Sequence, residues 1–487
     1  MRRIGRSLGA LAIAAAAAAC ATNPVTGRPE VVLMSPERES AAGKQEAAEV
    51  ERDIGLVNDP ALTAYVAQIG SRLAKLSPRK DTAYRFAIAD MAEPNAFALP
   101  GGYVYVSRGL LAYANTEDEL AGVIGHEIGH VAARHAAQRE TRSIGVGLLS
   151  VLGAIAAGVI GGGEAASAAS QLGQVAGAGA IASYSRDQER QADQIGQQLA
   201  AAGGWDPAGL ADFLVTLDRE GRIQEGGPRG PSFLDSHPQP GERATVARRR
   251  AGELPRGSEP RIAKGRTAFL QRIEGVLVGP NPEDGVFVEQ RFLHPGLGFA
   301  IDFPSGWRTQ NSKSAVAAMA PQGEALVTLA MAGAAGHDPR GAAERWVASS
   351  GAEVAESGAT RIGDWNAFRV LARVPSRQGV VAGDVVWIAH PGGLFRLSGV
   401  TAPSRYARWA PVFGRVAASF RPLGEADRRA ARPLRLRLVS ARRGETLEEL
   451  GRHTANGWRP AETAVANELD PSAPLAEGQL VKVALPE

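Results

Sequence analysis

His126-Glu127-Ile128-Gly129-His130 is the stretch on which the reading of this chain turns. Histidines four residues apart on an α-helix share one face, so both imidazoles can grip one metal ion, and the glutamate between them can reach a water on that metal. Histidine is scarce here, 8 in 487 residues. Composition alone gives roughly 0.01 chance matches to this pattern in a chain of this length. Val123, Ile124, Ile128 and Val131 surround the motif with apolar residues, and Thr116 with Glu119 reads as a capping box that starts the helix. The pattern predicts a buried helix with His126 and His130 as metal ligands and Glu127 as general base, the apparatus of metal-assisted peptide hydrolysis.

Two histidines need a further ligand. Downstream, Glu189 and Asp193 are again four residues apart, so a second helix presents two carboxylates on one face. Glu189 is expected to bind the metal, and Asp193 to hold a ligand histidine through its other ring nitrogen. The nitrogen and oxygen donors favour zinc over other divalent ions. His135 lies five residues beyond His130, about 140° around the helix, and reads as structural.

Three stretches together resemble the HtpX-like and CAAX-prenyl-protease-like zinc endopeptidases, in their soluble, periplasmic, BepA-like form. They are Asn95 to Leu111, Gly125 to His130, and Glu189-Arg190-Gln191-Ala192-Asp193, and the likeness spans roughly residues 30 to 250. The resemblance implies a mainly helical zincin-like (gluzincin) domain with a small sheet beside the active site. There a substrate would add as a further strand along a segment containing Asn95, Ala96, Tyr103, Val104 and Tyr105. The backbone from Tyr103 to Val106 is expected to hold the substrate extended, reading main chain before side chains. The resemblance also draws in Ser236-His237-Pro238 and Arg243. His237 would take the open metal position or contact the transition state, and Arg243 would bind an oxyanion or pair with a glutamate. A fourth protein ligand would close the resting site.

Arg2, Arg3 and Arg6 precede an apolar stretch from Leu8 to Ala19, which has signal-peptide length and is too short for a span. Cys20 follows small residues and is the only cysteine. It reads as the lipidated residue of an outer-membrane lipoprotein in the periplasm of a Gram-negative bacterium; the alternative is ordinary cleavage and a spare thiol. Without the three leader arginines, 51 basic residues face 51 acidic ones, and no basic block suggests a nucleic-acid partner. Residues 144 to 163 form an uncharged, Gly- and Ala-rich run of 20 residues that reads as a lid over the cleft or, alternatively, a membrane span.

The expected organisation is α+β. A signal peptide (1–19) and an anchored linker (20–45) precede the metalloprotease domain (46–251), and a linker (252–284) follows it. Gly298 to Trp307 reads as a strand ending in a turn, Leu326 to Ala330, Ala367 to Val374, Gly383 to Ala389 and Gly393 to Ser398 as strands, and Ala342 to Ser349 and Tyr406 to Ser419 as helices; the Gly298–Trp307 opening and the helix before Phe420 resemble a PsbP-like α/β sandwich over 285–425. Val439 to Leu450, Ala466 to Leu469 and Leu475 to Pro486 resemble a βααβ LysM module over 434–487, which implies peptidoglycan or a protein partner. The function these readings imply is zinc-dependent cleavage of misfolded or misassembled envelope polypeptides, outer-membrane assembly proteins among them. The alternative is a latent protease scaffold acting as a peptidoglycan-binding, partner-binding or chaperone-like lipoprotein.

Overall fold

The computed structural model describes residues 20–22, 25, 27, 29–31, 34–139, 183–224, 232–313, 315–333, 338–376 and 379–487. The expected signal peptide and the 144–163 run lie outside them. The chain is α+β and divides into two compact units, one of residues 1–278 with 435–486 and one of residues 279–434.

In the first unit a short antiparallel pair, Cys20–Thr22 with Pro29–Val31, precedes helices α1 (Pro36–Asp53) and α2 (Pro60–Leu76). A three-stranded sheet follows, of β1 (Arg85–Ala89), β2 (Ala96–Leu99) and β3 (Tyr103–Ser107) in the order β1-β3-β2. Helix α3 (Arg108–Tyr113) leads into α4 (Glu117–Ala132), which carries the two histidines. Thr116 caps α4 by accepting from the Glu119 backbone N–H. The Glu119 side chain reaches the N–H of Asn115, one residue before the cap. Next come α5 (Arg186–Ala202), α6 (Gly209–Gln224), the single turn α7 (Phe233–Ser236) and α8 (Pro240–Ala251).

Helices α4 and α5 touch backbone to backbone. A Cβ on Gly196 would lie 2.6 Å from the His126 nitrogen, and one on Gly129 would lie 2.9 Å from the Ala192 carbonyl oxygen. Glycine at these points lets the HExxH face meet the Glu189 face with no side chain between. Gly196→Ala is therefore expected to destabilise the fold by about 1–3 kcal/mol, as overpacking does. It should also loosen metal binding by prising the two ligand-bearing helices apart. Urea unfolding and zinc titration would check both, and an unchanged zinc affinity would contradict the second.

Residues 252–284, expected as a linker, are structured: α9 (Gly265–Ile273) buries Phe269, Leu270 and Ile273, and β4 (Leu277–Val278) joins a sheet. Arg and Gly content concealed the Phe-Leu-x-x-Ile stripe that docks the helix.

The second unit holds two antiparallel sheets. The smaller combines β5 (Val286–Val288), β6 (Arg291–His294) and β7 (Phe299–Asp302) with a later strand. The larger contains β8 (Arg308–Asn311), β9 (Ala315–Met319), β10 (Ala325–Met331), β11 (Glu353–Ile362), β12 (Trp365–Ser376), β13 (Gly379–His390) and β14 (Gly393–Thr401). Their order is β8-β9-β10-β14-β13-β12-β11. Helix α10 (Pro339–Ser350) comes before β11, and α11 (Tyr406–Ala418) follows β14 and packs on it; Gly399 leaves room for the Phe413 ring. β15 (Arg421–Pro422) completes the small sheet, and α12 (Glu425–Ala430) ends the unit. His294 and His390 pack against aromatic rings, not in a ligand cluster.

The chain then returns to the first unit with β16 (Leu434–Ser440), α13 (Leu447–Thr454), α14 (Pro460–Ala466) and β17 (Leu480–Pro486). Its sheet runs β17-β16-β4, so the strand from 277–278 pairs with the carboxy-terminal segment.

Candidate metal centre

The α4–α5 crossing, with the turn after α7, gathers His126, His130, Glu189 and His237. All four are buried, and one donor atom from each lies within 4.8 Å of the others. His126 Nε2 is 3.0 Å from His130 Nε2 and 3.2 Å from His237 Nδ1. Glu189 Oε1 is 2.9 Å from His237 Nδ1 and 3.3 Å from His130 Nε2. Tetrahedral zinc with bonds of about 2.0–2.1 Å keeps its ligands about 3.3 Å apart. Three imidazoles and a carboxylate at these separations fit that ion. The glutamate of the motif supplies a second sign of fit: Glu127 is fully buried and, among the described residues, neither of its carboxylate oxygens has a hydrogen-bond partner.

A further ring of contacts orients these donors. Asp193 Oδ1 is 2.9 Å from His126 Nδ1, which turns Nε2 of that ring inward. Arg243 donates to both Asp193 oxygens, at 2.6 and 2.9 Å, and also pairs with Glu189. Its guanidinium is thus paired with two carboxylates. His135 is not among the four converging donors, yet its Nδ1 is 2.9 Å from His130 Nδ1 while its Nε2 meets Gln191 Oε1 at 3.0 Å. Its contact with a ligand histidine went unread because the chain leaves the helix at Arg134, at a φ of 56°.

Electrostatics follow from burial and pairing. Burial pushes the Glu127 carboxyl above its ordinary value, only partly opposed by His237 and His126. Burial also opposes ionisation of Glu189, but His237, His130 and His126 outweigh it and hold the group well below the carboxylate range. Asp193 is likewise lowered, to about 2, because Arg243 and His126 overcome its burial. Glu189 is thus held ionised among the converging donors, while burial disfavours the ionised form of Glu127.

His237 is wedged between aromatic rings. Phe233 stacks on it at 4.1 Å and Tyr184 lies 5.4 Å away, itself stacked on His130 at 3.9 Å. The Tyr184 N–H donates to the Ser236 carbonyl, and the Phe233 N–H donates to that of Pro94. Tyr184 and Phe233 carried no sequence signal, since each lies beside a loop outside any motif.

The substrate-strand expectation needs correction. Tyr103, Val104 and Tyr105 belong to β3, the central strand, whose backbone is paired with β1 on one side and β2 on the other. Of the two edge strands, β1 and β2, the one beside His130 is β2. It contains Ala96 and follows the buried Asn95, and Ala98, Leu99 and Pro100 border a cleft with His130 and Tyr184. Among the described residues no helix is long and apolar enough to cross a membrane.

The profile for peptidase family M48 matches residues 60–251, the stretch that builds this centre. The metalloprotease YcaL of Escherichia coli is 33% identical over 189 residues, which are 38% of this chain and 70% of that protein. The chain belongs to peptidase family M48. Its M48 region is also similar to the beta-barrel assembly-enhancing protease of E. coli, 32% identical over 243 residues, or 48% of each chain. The chain spans about half the length of the curated relatives of that name. A solved structure of cyanobacterial PsbP from Synechocystis is 18% identical, covers 30% of this chain and 98% of its own, and has a TM-score of 0.24.

Proposed function

We propose that this M48 chain is a zinc endopeptidase of the bacterial envelope. The observation that carries the reading is Glu127, buried with no hydrogen-bond partner among the described residues, beside three imidazoles and a carboxylate. His126, His130 and Glu189 would hold the ion, and Asp193, Arg243 and His135 would orient them. Zinc bound there would supply Lewis acidity and make water a readier nucleophile at neutral pH. Glu127 accepts the water proton and returns it to the leaving amine. The free edge of β2 pairs with the substrate main chain beside His130, a mode suited to unfolded chains of varied sequence.

His237 is the resting fourth donor. Its Nε2 is 3.6 Å from Glu127 Oε1, so it stands where the general base must meet water. We read it as a closed state that yields when the 232–239 turn moves. His237→Ala should raise basal cleavage several-fold while zinc stays bound. Unchanged cleavage, or loss of zinc, would remove the switch.

The chain's catalytic unit is read as a gluzincin-type zincin, the 285–425 region as a PsbP-like partner-binding domain and the last 50 or so residues as LysM-like. The relatives named for β-barrel assembly suggest misassembled outer-membrane proteins as substrates. Lipidation at Cys20 would place the enzyme on the periplasmic face of the outer membrane, within reach of peptidoglycan. The closed donor set also supports the latent-scaffold alternative. Chelator-sensitive cleavage of casein, absent in Glu127→Gln, would separate the two. No cleavage by zinc-loaded protein, with His237 present or replaced, would favour the scaffold.

A further inference from the structure

Lys482 is fully buried on β17, and its ammonium donates to the carbonyls of Ala112 at 2.9 Å and Ala114 at 2.7 Å. Those carbonyls close α3 and open the loop into Thr116, the cap of the helix that carries His126, Glu127 and His130. Burying an ammonium is costly unless oxygens replace its water. This one is met by two carbonyls near a helix C-terminus, where a cation is favoured. The lysine is itself fixed: its N–H donates to Asn467 Oδ1 at 2.7 Å, and its carbonyl accepts from Asn467 Nδ2 at 2.9 Å.

The same loop is held at further points. Asn115 donates to the Ala466 carbonyl at 3.1 Å, and its oxygen accepts from Arg266, which also reaches the Leu480 carbonyl. The Trp458 ring lies 6.0 Å from Tyr113. On α6, Arg219 donates to the Leu469 carbonyl at 2.7 Å. A carbohydrate module appended for binding alone has no need to bury a lysine at the root of the active-site helix.

We propose that residues 435–486 are an internal buttress of the catalytic unit, with Lys482 the positioning residue that sets the start of the HExxH helix. The segment is fused after the 279–434 unit yet completes the fold of the unit that precedes it. Anything that pulls on this segment then acts on the metal helix. The effect on turnover rests on the peptidase reading; the structural coupling does not.

The test uses the full chain carrying Lys482→Met, which keeps the apolar stem and removes the ammonium. Hydrogen exchange of the amides from Asn115 to Ala121 should speed up about tenfold, with exchange in 285–430 unchanged. Turnover of casein should fall about tenfold at a KM within twofold and with zinc retained, as expected when a catalytic group is slightly misplaced. Should Lys482→Met fail to fold, Arg219→Ala removes one peripheral contact and is expected to show the same pattern at smaller amplitude. Unchanged exchange at 115–121, or loosened exchange with full turnover, would overturn the proposal. A wild-type chain that cleaves nothing would sink the peptidase reading, while the exchange result would still decide the buttress.

Discussion

Glu127→Gln is expected to abolish peptide cleavage while leaving the metal site intact. Glutamine keeps the shape of the side chain but cannot accept a proton. General-base groups contribute about 10²–10⁴-fold in rate, so residual turnover should fall below about 1%. Glu127 is not among the four converging donors, so zinc content should stay at that of the parent chain. Stability should hold or rise, because the change takes a carboxyl without a hydrogen-bond partner among the described residues out of a buried site. Casein turnover, zinc content and thermal unfolding on one preparation would check the three parts. Full activity in the variant would assign the base elsewhere, and loss of zinc would make Glu127 a ligand.

Most of the metal centre was legible because its spacing is a helical spacing. His126 with His130 and Glu189 with Asp193 each repeat at four residues, and a helix converts that number into a shared face. What placed the two faces together was also written in sequence, though less visibly, as Gly125, Gly129 and Gly196 at the crossing. The contacts of His237 and Arg243 are tertiary, and their readings came from resemblance. The strands misled for a physical reason. Tyr103 to Val106 has strong β composition, and the strand with the strongest β signal is the one buried in the middle of the sheet, while the weaker Ala96–Leu99 forms an edge. In the second unit five strands were read, but Ala315–Met319, which alternates in burial, was not, and Glu353–Ile362, exposed along nearly all its length at a sheet edge, gave no pattern to read. The carboxy-terminal segment showed its order of strand, helix, helix and strand. Its docking depends on Lys482, and a lysine in an apolar strand carries no sign of what its ammonium will meet.

Glu189→Ala tests whether the two helices form one site, and its expected effect is as large. Glu189 is the only carboxylate among the four converging donors and lies on a different helix from the HExxH pair. Its loss leaves three imidazoles, a set that zinc also accepts, so the outcome is not fixed by ligand count alone. Charge decides it. Arg243 lies buried against both Glu189 and Asp193. Without Glu189, Asp193 is taken up in neutralising that guanidinium, and no ligand carboxylate remains to offset the charge of a divalent cation. Breaking such a buried pair typically costs about 3–5 kcal/mol. Zinc affinity should therefore collapse along with activity, and unfolding should move to lower temperature. The conservative Glu189→Asp shortens the reach of the carboxylate but keeps its charge, so it should retain more zinc than Glu189→Ala. Equal zinc content in the parent and Glu189→Ala would place the third ligand elsewhere and leave Glu189 as the partner of Arg243 alone.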